Sequence, residues 1–410
     1  MPTYTNHPNP SCPATKDPAL VGRARAGLRS LKPSHAKPTP RSTEVQPARS
    51  PRAIFASFSE EPGSSAPLDG RSTHNPWLRR FAWFTAGATL ILICFGGLVT
   101  SHGAGLAVPD WPNTYGYNMF FFPVSRWVGG IFYEHTHRLV ASGVGLLTTI
   151  LAVWLWLKES RCWLRWLGVL AFVGVVCQGV LGGLRVTLLK DELGIVHATL
   201  AQLFLVLVSA IALFTTRWWT KEAGGTGVDR GLRFWVALGT GFVFLQLVLG
   251  ATMRHQHAGL AIPDFPLAYG RLWPAMDEQS VAGYNQRRVE VQAAKPITAF
   301  QIGLQMAHRL GALAILLTVA ATALQAARRL GPRQPLTQGA WVWLGLVLVQ
   351  VVLGGATIWT GKSADIATTH VAVGALTMVV GAGLCLLAFR HVVPAEPTAL
   401  GDQVSTATGA

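Results

Sequence analysis

Eight apolar stretches constrain this chain more than any other feature. They run roughly over residues 81–100, 131–157, 163–184, 193–214, 233–252, 299–326, 340–359 and 366–389. Each supplies about the 20 residues that an α-helix needs to cross a bilayer. Inside lipid every backbone N–H and C=O must be satisfied within the protein, and helices achieve that segment by segment. The charged fraction of 13% is about half that of an ordinary soluble domain. The net charge of +15 raises the question of a nucleic-acid partner. Such a protein spreads its Lys and Arg over a water-facing surface, whereas here they cluster between apolar runs. No nucleic acid is therefore expected, and membrane lipid is the expected surrounding.

Those clusters set the expected topology. Arg79 and Arg80 precede the first stretch; Lys158, Arg161 and Arg165 join the second to the third; Arg217, Lys221, Arg230 and Arg233 join the fourth to the fifth; Arg328, Arg329 and Arg333 join the sixth to the seventh; Arg390 follows the eighth. All fall on one side, so the positive-inside rule puts both termini in the cytoplasm. Two long loops, 101–130 and 253–298, fall on the other side.

The chain also repeats itself. The first outer loop reads Ala104-Gly-Leu-Ala-Val-Pro-Asp-Trp-Pro-Asn-Thr-Tyr-Gly116, and the second reads Ala258-Gly-Leu-Ala-Ile-Pro-Asp-Phe-Pro-Leu-Ala-Tyr-Gly270. Glu134-His-Thr-His137-Arg138 aligns with Gln305-Met-Ala-His308-Arg309, Gln178 to Gly183 with Gln350 to Gly355, and His197 with His370. A unit of four spans is even, so both copies keep the same orientation. The expected fold is an all-α membrane protein whose eight transmembrane helices form two tandem four-helix bundles, related by a pseudo-two-fold axis along the membrane normal. The expected domains are a disordered polar extension at 1–76, holding 13 of the 24 prolines, an N-terminal bundle at 77–222, a C-terminal bundle at 223–391 and a disordered tail at 392–410. The extension is expected to be cytoplasmic or a misassigned start in preference to a mitochondrial transit peptide. That favours a bacterial cytoplasmic membrane over the mitochondrial inner membrane.

Ionisable groups inside spans are costly and functional by default. His137, His197, His308 and His370 each lie near the start of an even-numbered span, so all four fall at similar depth near the outer surface. Two histidines facing across a four-helix bundle can be the two axial ligands of a haem. The competing role is a helix–helix hydrogen bond, less apt for four histidines at matched positions. Zinc lacks a third and fourth ligand at each pair. Glu134 breaks the symmetry: it precedes His137 by one turn on the same face, and its counterpart is the neutral Gln305. One half is thus expected to do chemistry while the other holds a redox cofactor, the alternative for Glu134 being an ion pair with a nearby Arg. Arg138 and Arg309 are candidate contacts for haem propionates or for loop acids. His135 points about 200° away from His137 and cannot share its site. His102, His255 and His257 are expected to be solvated loop residues. The Gln-x-x-Leu-Gly motif on spans three, five and seven reads as packing. Asp110 and Asp264, present in both halves, read as scaffold, and Trp111 and Phe265 as cover for a haem edge.

These residues resemble the haem A synthase family of integral membrane enzymes, over about residues 78–391. The resemblance rests on Glu134-x-x-His137-Arg138, His197, Gln305-x-x-His308-Arg309, His370 and the duplicated Gly-Leu-Ala-x-Pro-Asp loops. It implies oxidation of a methyl group of haem O to a formyl group, giving haem A for terminal oxidase assembly. It implies haem b, with its iron, between His308 and His370, the substrate haem O between His137 and His197, and an essential carboxylate at Glu134. Its partner candidates are haem O synthase, oxidase assembly factors and a second copy of the chain. Some family members carry a cysteine pair in the first outer loop; residues 101–130 contain none. The alternative reading is a di-haem b-type electron-transfer protein without haem-modifying activity.

Overall fold

The computed structural model describes residues 75–221, 228–289 and 296–390. Among them the fold is all-α, with eight helices long and apolar enough to cross a membrane. They are α1 (Pro76–Ser101), α2 (Gly130–Lys158), α3 (Cys162–Leu188), α4 (Asp191–Phe214), α5 (Arg230–His255), α6 (Ala299–Leu330), α7 (Pro335–Trp359) and α8 (Ala364–Ala388). The expected stretches survive with most ends extended, by up to five residues, and the last ends one residue early. Polar end groups account for the extended starts of α1 and α5, because hydropathy does not register caps. Asn75 accepts the N–H groups of Trp77 and Leu78 ahead of Pro76, Asp229 caps α5, and Thr298 with Gln301 forms a reciprocal capping box at α6; such caps satisfy N–H groups that have no partner within the helix. The expected extension up to residue 74, the boundary at 222–223 and the tail beyond 390 lie outside the described residues.

Helix contacts close into two rings. In the first half α1 packs on α2, α2 on α3, α3 on α4 and α4 on α1; in the second α5 packs on α6, α6 on α7, α7 on α8 and α8 on α5. Three contacts join the rings: α1 with α8, α4 with α5, and α4 with α8. The second ring is filled by Trp343, which is fully buried. Its ring edge meets Gly239 of α5 and Gly381 of α8, and its indole N–H donates to the Thr377 carbonyl at 2.9 Å. Only backbones without side chains leave room for an indole there.

The duplicated loops fold alike. Asp110 accepts the N–H groups of Tyr115 and Gly116, each at 2.8 Å; Asp264 accepts those of Tyr269 at 2.7 Å and Gly270 at 2.8 Å. Tyr115 and Tyr269 each donate a phenolic O–H back to an alanine carbonyl, Ala107 and Ala261. Gly116 and Gly270 have φ of 77° and 74°, a region open to glycine at no cost. The scaffold role expected of both aspartates is what the structure shows. The second loop also carries a helix, Glu278–Val289, that hydropathy did not reveal because it is polar. It stacks Tyr284 on Tyr269 with ring centroids 3.6 Å apart.

Candidate functional site

The four histidines occupy equivalent places near the loop end of the helices. Each imidazole lies over a glycine of a neighbouring helix. A Cβ at Gly96 would come within 3.2 Å of His137, one at Gly182 within 3.4 Å of His197, one at Gly250 within 3.4 Å of His308 and one at Gly354 within 3.5 Å of His370. In each case the Nδ1 atom is buried with no hydrogen-bond partner, although buried polar atoms are nearly always paired. Each histidine as a whole is only half-buried.

The His308 and His370 ring centroids are 6.5 Å apart. Two metal–nitrogen bonds of about 2 Å each, with the half-width of an imidazole at either end, span roughly 6 Å. The spacing therefore fits one metal ion between the two rings. No cluster of three or more His, Cys, Asp or Glu that could hold a metal ion occurs among the described residues, so the donor set is two imidazoles and suits a metal whose other ligands arrive with a macrocycle. His137 and His197 lie close enough to influence each other electrostatically.

Glutamines fix three of these histidines. Gln178 donates to the His197 carbonyl at 3.3 Å, Gln246 to that of His308 at 2.7 Å and Gln350 to that of His370 at 2.7 Å. The repeat places Leu92 opposite His137, so His137 alone lacks this tether.

Glu134 is buried and committed on both oxygens. Its Oε1 pairs with Arg138 at 2.8 Å, and its Oε2 accepts the Val108 N–H at 3.0 Å. Gln305 does the equivalent work in the second half, accepting the Ile262 N–H at 2.6 Å. Arg138 also donates to the carbonyls of Val108, Asp110 and Asn113, and Arg309 to those of Asp264 and Leu267. Both guanidinium groups face loop backbone. Asp110, which shares this network, is pushed up by burial, but the Gly116 and Tyr115 N–H groups and the Arg138 charge outweigh that and hold its carboxyl below the usual range.

His135 sits away from the site, at 3.2 Å from the Thr114 hydroxyl and between Phe122 and Trp127. Trp111 packs on Gly183 and Phe265 on Gly355. His102 and His257 are exposed. His255 is not the solvated residue expected: it ends α5, is buried, and its ring presses on Gly194 of α4. The α4–α5 contact between the rings covers it, and no hydropathy signal reports such a contact. Sequence reasoning also passed over Arg185 of α3, half-buried beneath Gly105 of the first loop. Its replacement by Thr357 in the repeat was the available signal.

A model of the COX15-CtaA family, described as cytochrome oxidase assembly protein, matches residues 79–381. Curated relatives named heme A synthase are similar to this chain. One from Geobacillus kaustophilus is 29% identical over 76% of this chain and 92% of the relative. One from Lysinibacillus sphaericus is 26% identical over 72% and 90%, and one from Bacillus cereus is 27% identical over 79% and 97%.

Proposed function

The chain belongs to the haem A synthase family of cytochrome oxidase assembly proteins, and from that premise we propose that it oxidises a methyl group of haem O to a formyl group. The first ring takes haem O between His137 and His197, and the second takes haem b between His308 and His370. Both termini lie in the cytoplasm and the two rings are related by an axis along the membrane normal. The observation that carries the reading is the 6.5 Å separation of the His308 and His370 rings, with a glycine opening beside each of the four imidazoles.

Methyl to formyl adds one oxygen and removes two hydrogens, through an alcohol and a hydrate that loses water, and an oxidant from outside the chain takes the four electrons. Haem b, when bound, supplies one-electron transfer. The protein's part is placement and proton handling. His137 and His197 would hold the substrate haem by its metal, each imidazole lying beside a glycine of a neighbouring helix. Glu134 lies one turn from His137 and is the carboxylate available to take a proton as the methyl group is oxidised. Its bonds to the Val108 N–H and to Arg138 keep it under the loop. The Gly182 and Gly96 openings exclude side chains that would displace the substrate.

The test is a pair of variants examined by haem spectroscopy after co-expression with a source of haem O. His308→Ala is expected to lose the resident low-spin haem b. His137→Ala is expected to keep it and make no formyl product. Full haem b retention in His308→Ala would refute the assignment of the halves.

A further inference from the structure

Between the two histidine pairs, at the loop end, three cations come together with little to neutralise them. Arg185 of α3 is half-buried, lies beneath Gly105, and is within electrostatic reach of His137, His197 and His255. Among the described residues no hydrogen bond or ion pair to its guanidinium occurs. Arg254 of α5 donates to Gly97 and Ser101 of α1, across the contact between the rings, while its Nε is buried without a partner. Lys362, in the turn between α7 and α8, is half-buried and within electrostatic reach of Arg254. Arg254 also bears on His370. The acids that face this seam are Asp191, which is exposed, and Glu134, already paired with Arg138.

Both arginines are specific to their halves. The repeat puts Thr357 where Arg185 stands and Thr100 where Arg254 stands, and both threonines merely bond back to their own helix. A cation left without a full set of partners in an apolar interior is costly, so Arg185 and the unpartnered Nε of Arg254 on one seam indicate an anionic ligand. A guanidinium fork matches a carboxylate, and a haem carries two carboxylates on one edge. The two arginines in the expected position, Arg138 and Arg309, are spent on loop carbonyls.

The geometry points to this seam as the carboxylate receptor for both macrocycles: Arg185 binds a propionate of the substrate haem, and Arg254 with Lys362 binds a propionate of the resident haem. Both haems then turn their carboxylate edges toward each other, between the rings. This inference rests on the function proposed above.

Its test uses haemin and haemin dimethyl ester, which differ only at the two propionates. The full-length protein, purified in detergent with its resident haem, is titrated with each while the Soret band is followed. The wild type is expected to bind haemin about tenfold more tightly than the ester, the worth of one charged hydrogen bond. Arg185→Gln is expected to bring that ratio close to one without weakening the ester, and Arg185→Lys to keep part of the preference. Lys362→Gln is expected to remove the same preference when the second site is emptied and reloaded. Equal binding of haemin and ester by the wild type, or an unchanged ratio in Arg185→Gln, overturns the seam and leaves the haem reading standing. Absence of any His137-dependent Soret shift with either compound overturns the haem reading, and the seam with it.

Discussion

The Oε2 atom of Glu134 accepts the backbone N–H of Val108 at 3.0 Å. The second half makes the same bond with a neutral amide, from Ile262 to Gln305. The anchor therefore needs an acceptor but not a charge, and the charge in the first half is paired with Arg138 at 2.8 Å. Glu134→Gln is expected to keep fold and haem binding while formyl product falls by roughly a hundredfold or more, the scale of a lost acid–base group. Glu134→Ala is expected to lose product and also about 1–3 kcal/mol of stability, because the Val108 N–H and part of Arg138 are left unpaired. Thermal unfolding in detergent beside product analysis separates the two; equal product from wild type and Glu134→Gln would remove the carboxylate from the chemistry.

The glycine openings make a steric prediction. Gly354→Val adds bulk where even a Cβ lies 3.5 Å from His370. It is expected to expel the resident haem from the second half while far-UV circular dichroism stays unchanged. Wild-type haem b content in this variant would show that the macrocycle lies elsewhere.

The glutamine tethers are expected to be modest. Gln246→Leu removes the bond to the His308 carbonyl and recreates the arrangement that Leu92 already gives the first half. A cost of about 0.6 kcal/mol follows from interhelical hydrogen bonds in membranes, read as a small fall in unfolding temperature with haem retained. Complete haem loss would mean that the tether sets the ligand geometry.

Acid should release the first loop before it unfolds the helices. Asp110 is raised by burial but held below its ordinary 3.8 by the stronger pull of its N–H donors and Arg138. A carboxyl depressed in the folded state stabilises fully above its unfolded value, and that contribution disappears as pH falls through the folded one. Fluorescence of nearby Trp111 in the apo protein is expected to hold steady down to about pH 4 and change below it. Asp110→Asn is expected to show the changed signal at neutral pH; an identical titration in that variant would assign the acid response to another group.

Most of the fold was legible because lipid leaves a chain few options. Spans, their number and the matched loops follow from hydropathy and from the repeat. The helix Glu278–Val289 was not legible, since it is amphiphilic and short and draws its stability from the Tyr269–Tyr284 stack. At the site, periodicity located the four histidines but not what their neighbours do. Arg138 and Arg309 read as cations near a surface, and only the folded loops reveal the carbonyls that occupy them. His255 and Arg185 depend on contacts between α4 and α5 and between α3 and the first loop, which no local pattern encodes.

The most direct test of the account is mass analysis of haems extracted from membranes in which this chain is co-expressed with a haem O source. The account predicts a product heavier than haem O by one oxygen and lighter by two hydrogens, absent in Glu134→Gln. Recovery of haem b and unaltered haem O alone, from protein that retains both haems, would contradict it and leave a di-haem electron carrier.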